Sequence, residues 1–298
     1  MKKLRIGYFA DGPWSHLAFE KINEDPNLEV ALIIPRTDTS DHTLKNYAEK
    51  YNIDYLHPVK INSDEFYDKA QQYNCDLFVS MSFNQIFRSR ITNLPPLKTI
   101  NCHAGMLPFY RGRNILNWAL INDEKEFGIT VHYIDEGIDT GDIILQRCFP
   151  ITDGDDYGSL LEIAYVECAN ILYDSIRQIQ QGTSNRIVQD TIHPVGFYCG
   201  RRGPGDEIID WNQNSRELFN FIRSISNPGP RATTSVSGLP VRINRARMVK
   251  DAPEYINTVG QLLSKTETGF LVKTRDSFIE ISEIESDVKL RVGDKLGL

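Results

Sequence analysis

Residues Thr99 to Trp118 read TINCHAGMLPFYRGRNILNW, and the rest of the chain is organised around them. The β-branched pair Thr99-Ile100 ends what reads as a buried strand, and strand side chains repeat every two residues, so Asn101 and His103 face the same way. Pro108 and Gly112 force a turn, and Arg113 leads into a helix-like run. A second piece follows at Tyr133 to Ile144, YIDEGIDTGDII, offering Asp135, Gly137, Asp139 and Gly141 on a tightly folded loop. An Asn, a His and an Asp gathered at strand ends can polarise a carbonyl, hold a tetrahedral oxyanion and move a proton. That chemistry is acyl transfer.

Outward from these pieces the chain alternates. Strand-like runs at Leu4–Ala10, Glu29–Ile34, Asp54–Leu56, Asp76–Met81 and Leu97–Cys102 are separated by helical spacing at 14–22, 44–51 and 65–73. That alternation predicts an α/β, Rossmann-like parallel sheet covered on both faces, with ligands outside the carboxyl ends of its strands. Helix 114–122, strands 128–133 and 143–149, and an amphipathic helix over 157–181 complete the first domain. Asp153, Asp155 and Asp156 suit the long helix's N-terminus. The texture changes near Gln189. A Gly-, Pro- and Arg-rich stretch precedes a helix at 215–224 and short strands at 232–236, 239–249, 269–274 and 277–283. These predict a smaller barrel-like (OB-like) C-terminal domain. The expected division is a domain over 1–189, a linker over 190–206 and a second domain over 207–298.

Composition sets the outer limits. A 298-residue chain with 24% charged residues and a net charge of −7 is ordinary for a globular protein and disfavours a polyanionic partner. No run reaches the roughly 20 apolar residues that span a bilayer. The start, MKKLRIGYFADG, resembles a signal peptide only in its charge; its apolar part is short, and a first strand is the better reading. The five cysteines are scattered without a CxxC pair, so no metal site or disulfide framework is expected. A cytoplasmic protein with reduced thiols follows as the expectation.

Three separated motifs, Asn101-Cys102-His103, Leu107-Pro108-Phe109-Tyr110-Arg111-Gly112 and Asp139-Thr140-Gly141, resemble those of the 10-formyltetrahydrofolate-dependent formyltransferase family. The chain is most similar to its sugar-nucleotide members, and the stretch Cys199 to Trp211 resembles a linker found there. The resemblance implies amine attack on the formyl carbon of the folate. Asn101 and His103 would stabilise the oxyanion, while Asp139 would orient or charge-balance His103 and collect a proton. The residues leave open which of His103 and Asp139 moves which proton. Folate contacts carry over to Gln85, Ile86 and Phe87, to Arg113, and to Asp135, Glu136, Gly137 and Ile138, through the backbone groups of those loops. His132, in a strand without metal-ligand spacing, is read as structural.

The acceptor is argued from charge. Residues 35–56, where the tRNA-formylating members insert a basic loop, carry no basic cluster, and residues 206–298 hold thirteen basic against thirteen acidic side chains. Neutralising tRNA phosphates needs basic surface. The expectation is therefore a nucleotide-linked 4-amino sugar, for surface-polysaccharide or flagellar-glycan synthesis, with Asp11, Trp14, Tyr198 and Arg201 as candidate substrate contacts and a possible homodimer. Methionyl-tRNA is the alternative acceptor. A non-catalytic folate or nucleotide-sugar binding protein is the alternative from another class. A nicotinamide-dependent oxidoreductase is disfavoured because Ala10-Asp11-Gly12-Pro13-Trp14 is no GxGxxG loop.

Overall fold

A computed structural model of the chain describes residues 3–297. Its elements in order are β1 (Leu4–Ala10), α1 (Pro13–Glu24), β2 (Leu28–Ile34), α2 (Thr43–Tyr51), β3 (Asp54–Tyr55), α3 (Asp64–Gln71), β4 (Leu77–Met81), α4 (Ser89–Thr92), β5 (Thr99–His103), β6 (Arg111–Gly112), α5 (Ile115–Ile121), β7 (Glu126–Tyr133), β8 (Ile143–Pro150) and α6 (Tyr157–Gln181). Then come β9 (Tyr198–Cys199), α7 (Ser215–Ser224), β10 (Ala232–Val236), β11 (Leu239–Met248), β12 (Leu262–Lys265), β13 (Gly269–Lys273) and β14 (Phe278–Ser286).

Seven strands form one sheet in the order β3-β2-β1-β4-β5-β7-β8. Strands β3 to β5 of that order pair in parallel. The chain reverses its direction of winding between β1 and β4, the switch point where ligands of such sheets bind. The carboxyl ends of β1, β4 and β5 share one edge, which gathers Asp11–Trp14, Ser82–Phe87 and Asn101–His103. The sheet is mixed rather than wholly parallel: β7 runs antiparallel to β5, with Asn101 opposite His132 and His103 opposite Thr130. At the edge Pro13 opens α1 directly after Gly12, whose φ of 66° is left-handed. Buried Phe9, Phe78 and Phe87 meet edge to face beneath the switch point, with centroids 5.0 Å apart for both Phe9 pairs.

The second sheet is antiparallel, five strands in the order β10-β11-β14-β13-β12. The helix α7 is bounded by a capping box, in which Asn214 accepts from Glu217 N and Glu217 answers on Asn214 N. Its apolar face, Leu218, Phe219 and Ile222, joins Val241, Ile243, Ile279, Ile281 and Trp211 in one core.

The contacts divide the chain into two compact units that differ from the expected contiguous stretches. One holds the residues up to Gly112 together with 127–149 and 162–199; the other holds 113–126, 150–161 and everything from Gly200 onward. The reason is local. Asn117 on α5 donates to the Ser224 carbonyl at 2.6 Å, Arg216 on α7 pairs with Asp123 and Asp153, and Arg223 donates to the Thr152 carbonyl at 2.7 Å. The stretch expected as a linker is split likewise. Tyr198-Cys199 pairs with Arg111-Gly112 in the first unit. In the second, Arg202 N donates to Asn114 at 2.9 Å. The start of α6 fits its reading, since Asp156 accepts from Ser159 N at 3.0 Å.

Ile281 is fully buried in the second core. Ile281→Ala is expected to destabilise this unit by about 2–5 kcal/mol, read as a lower urea midpoint with the first unit's transition unmoved.

Candidate active site

The strand β5 delivers Asn101 and His103 to one face, and Cys102, on the other, turns its thiol toward the Cys168 carbonyl at 3.7 Å. Pairing with β7 places His132 beside Asn101, whose Nδ2 lies 3.2 Å from His132 Nε2. His132 Nδ1 lies 2.8 Å from the Tyr133 carbonyl oxygen, which only accepts, so Nδ1 carries a proton and the Nε2 edge faces both Asn101 and Asp139.

Asp139 comes back over this face from the loop after β7. Its Oδ2 is 3.7 Å from His103 Nδ1 and its Oδ1 is 3.5 Å from His132 Nε2. Gly112 N donates to Oδ2 at 2.9 Å. Burial pushes the Asp139 carboxyl up, but His103, the His132 ring and the Gly112 N–H together outweigh it and hold Asp139 far below the usual carboxylate range. It is therefore a fixed anion at neutral pH. The loop that delivers it is braced by Asp135, which accepts from Gly137 N at 3.1 Å and from the Thr140 hydroxyl. Its last turn tolerates no side chain at Gly141, where a Cβ would lie 1.9 Å from the Tyr133 oxygen.

The His103 ring has a second acceptor. Its Nε2 lies 2.7 Å from the Tyr110 carbonyl oxygen, so this nitrogen carries a proton and the Nδ1 edge faces Asp139. Gly105 makes that bond possible: a Cβ there would sit 2.4 Å from His103 Nε2 and 2.5 Å from the Tyr110 oxygen. Asn101, His103 and Asp139 are thus brought together. His132 joins them. Read as structural from its strand position, it adjoins both Asn101 and Asp139, because the antiparallel register sets it opposite Asn101. A lone histidine in the apolar run Gly128 to Ile134 was the available signal; the register was not readable.

The loops expected to hold folate lie around the switch point. The Phe87 ring is buried in the aromatic cluster, the Gln85 side chain accepts from Ile61 N at 3.0 Å, and the Ile86 carbonyl accepts from Asn62 Nδ2 at 2.7 Å. Ile86 and Ile138 are exposed apolar side chains on two loops that the Ser89–Glu136 hydrogen bond joins. Among the expected substrate contacts, Asp11 accepts from the Thr39 hydroxyl, and burial pushes its carboxyl up. The Trp14 ring packs edge-on against Tyr165 at 4.8 Å. Tyr198 is exposed, with the Arg111 guanidinium 5.5 Å from its ring centre. Arg113 and Arg201 are exposed residues of the second unit.

Comparison with known proteins supplies the family. Residues 20–172 match the formyl transferase family model, and 203–293 match its C-terminal domain. The chain belongs to the formyltransferase family. A methionyl-tRNA formyltransferase of Azobacteroides pseudotrichonymphae is 33% identical over 287 residues, covering 91% of this chain and 87% of that protein. Among solved structures, WlaRD, a sugar 3N-formyl transferase with dTDP and 5-N-formyl-THF, is similar at a TM-score of 0.70 and 21% identity, covering 97% of this chain and all of that one. An N-formyltransferase of Helicobacter canadensis, in complex with folinic acid and dTDP-3-aminofucose, is similar at 0.70 and 23%, covering 96% of this chain. This formyltransferase is an enzyme whose formyl donor is 10-formyltetrahydrofolate, and Asn101, His103 and Asp139 all lie within the stretch that matches the catalytic model.

Two outcomes follow for this formyltransferase. Gly105→Ala is expected to break the His103–Tyr110 bond and lower formyl transfer at least about 10-fold with the fold retained, read by kinetics beside circular dichroism. Asp139's depressed pKa means its stabilising charge is in place above the ordinary carboxylate range and is lost only as pH falls through its folded value. The wild type is therefore expected to lose more thermal stability than Asp139→Asn on acidification below about pH 4, in paired melts.

Proposed function

We propose that this formyltransferase acts on the amine of a nucleotide-linked 4-amino sugar, with Asn101, His103 and Asp139 as its reactive side chains. The neutral amine attacks the formyl carbon, and the carbonyl oxygen becomes an oxyanion. Asn101 Nδ2–H, oriented by His132, is a donor available to it; His103 Nε2–H is held by the Tyr110 carbonyl, so the ring donates from Nδ1 once that nitrogen takes a proton beside Asp139. The anion Asp139 stabilises positive charge on His103 and accepts the proton shed by the attacking amine, directly or through water. Collapse breaks the bond to the folate nitrogen, which takes a proton as it leaves. Backbone groups of 85–87 and 135–138 would hold the folate. Asp11, Trp14 and Tyr198 are the candidate contacts for the acceptor.

One observation supports a small acceptor. All seven arginines from Arg216 to Arg275 are ion-paired to carboxylates of their own unit: Arg216 and Arg223 with Asp123, Arg231 and Arg242 with Glu285, Arg245 with Glu283, Arg247 with Glu280 and Arg275 with Glu217. Binding tRNA through these would require breaking existing pairs, which reduces the gain from neutralising phosphates. Arg36, in the loop after β2, is likewise paired with Asp38 at 2.8 Å.

Methionyl-tRNA is the second reading, and sequence relatives favour it. The relatives at 30–33% identity are methionyl-tRNA formyltransferases. On sequence comparison alone that acceptor is the better supported of the two.

A mass-spectrometric assay with 10-formyltetrahydrofolate, a panel of 4-amino nucleotide sugars and initiator methionyl-tRNA separates them. The expected result is one formyl mass gained on a sugar and a loss of at least about 100-fold in His103→Ala, the scale of a lost oxyanion donor. Formylation of tRNA alone would overturn the sugar reading and leave the site intact.

A further inference from the structure

Gln189 belongs to none of the motifs, yet its residue is only 2% exposed. It opens a single 3-10 turn, Gln189–Thr191, on the segment that follows α6. A buried carboxamide must place one acceptor and two donors. Its Oε1 accepts from Arg111 Nε at 3.1 Å and Arg111 Nη2 at 2.7 Å. Its Nε2 donates to the carbonyl oxygens of Asp139 and Gly141, each at 2.8 Å. The carboxamide is fully used.

Its two ends hold the two segments that carry the partners of His103. Arg111 directly follows Tyr110, whose carbonyl accepts from His103 Nε2, and Asp139 faces His103 Nδ1. Tyr110 and Asp139 both have left-handed backbone, with φ of 55° and 56°. Residues bearing a Cβ stay there only when their surroundings over-determine them. Arg111 is itself buried, and its backbone N–H donates to the Phe197 carbonyl at 3.1 Å, so the clamp is set in a braced strap.

We propose that Gln189 is a positioning residue: it fixes the separation between the Tyr110 carbonyl and the Asp139 carboxylate, and so sets the orientation of the His103 ring between them. The proposal rests on the reading of His103 and Asp139 as the reactive pair. A side chain that only filled space would be replaceable by one of equal length. Gln189→Met has that length and none of the four hydrogen bonds. Gln189→Glu retains an acceptor for Arg111 but turns an oxygen toward two carbonyl oxygens.

The test combines imidazole nitrogen NMR with kinetics on the full chain. His103 is assigned by loss of its signals in His103→Ala. The wild type is expected to show His103 with its proton fixed on Nε2. Both Gln189 variants, folded by circular dichroism, are expected to show averaged tautomers. Their kcat is expected to fall about 10- to 100-fold, with KM for the formyl donor within about twofold. Should the Met variant not fold, Arg111→Lys carries the same test, because an ammonium cannot make both bonds to Oε1. An unchanged His103 spectrum in folded variants overturns the proposal, as does wild-type kcat. An altered spectrum in a protein that formylates neither acceptor class supports positioning and overturns the acceptor reading instead.

Discussion

A carboxylate that is 13% exposed and ionised needs opposing partners, or it takes a proton. Asp139 has two imidazoles and a backbone N–H, and much of the first unit is arranged to supply them. The left-handed turn at Asp139 aims the carboxylate back over the sheet. Gly141 lets the chain pass the Tyr133 carbonyl, and the turn at Tyr110 brings the Gly112 N–H within reach. Each device costs conformational freedom or strain. Together they hold one anion where it is worth more than it would be in water.

The antiparallel strand follows from the same requirement. In the parallel part of the sheet, neighbouring strands present their carboxyl ends at one edge, and no residue returns from a following loop to face the end of β5. Reversing β7 lays His132 against Asn101 and Thr130 against His103. The chain then leaves the sheet at Tyr133, opposite Ile100, three residues behind His103 along β5. For Asp139 to reach His103, the loop must fold back over the shared face. The Asp135 turn and the compact glycines accomplish this within the nine residues from Tyr133 to Gly141.

Much of this was legible in the sequence. Period-two and helical spacing located β1, β2, β4, α6 and α7 because their side chains face a single core, and Asn101 with His103 followed from strand alternation alone. What escaped depends on pairing across the chain. Nothing local in Gly128 to Tyr133 says that this strand runs against β5, so His132 read as a structural residue. Gln189 sits in an irregular, polar stretch, and its significance comes from carbonyls about fifty residues earlier. The two-residue strands β6 and β9 were invisible because they exist only as each other's partners. The grouping of α5 with the second unit was not readable, because a short apolar helix does not specify which core it serves.

Identity near one third along most of the chain settles the family. Acceptor choice is a property of the surface. A tRNA is recognised first through phosphates, and the gain scales with the cations free to meet them. In this chain the seven arginines from Arg216 to Arg275 are already paired with carboxylates, Asp123 and Glu285 each serving two. Such pairs contribute little to stability individually. They do reduce the positive charge that those seven arginines could offer to phosphates.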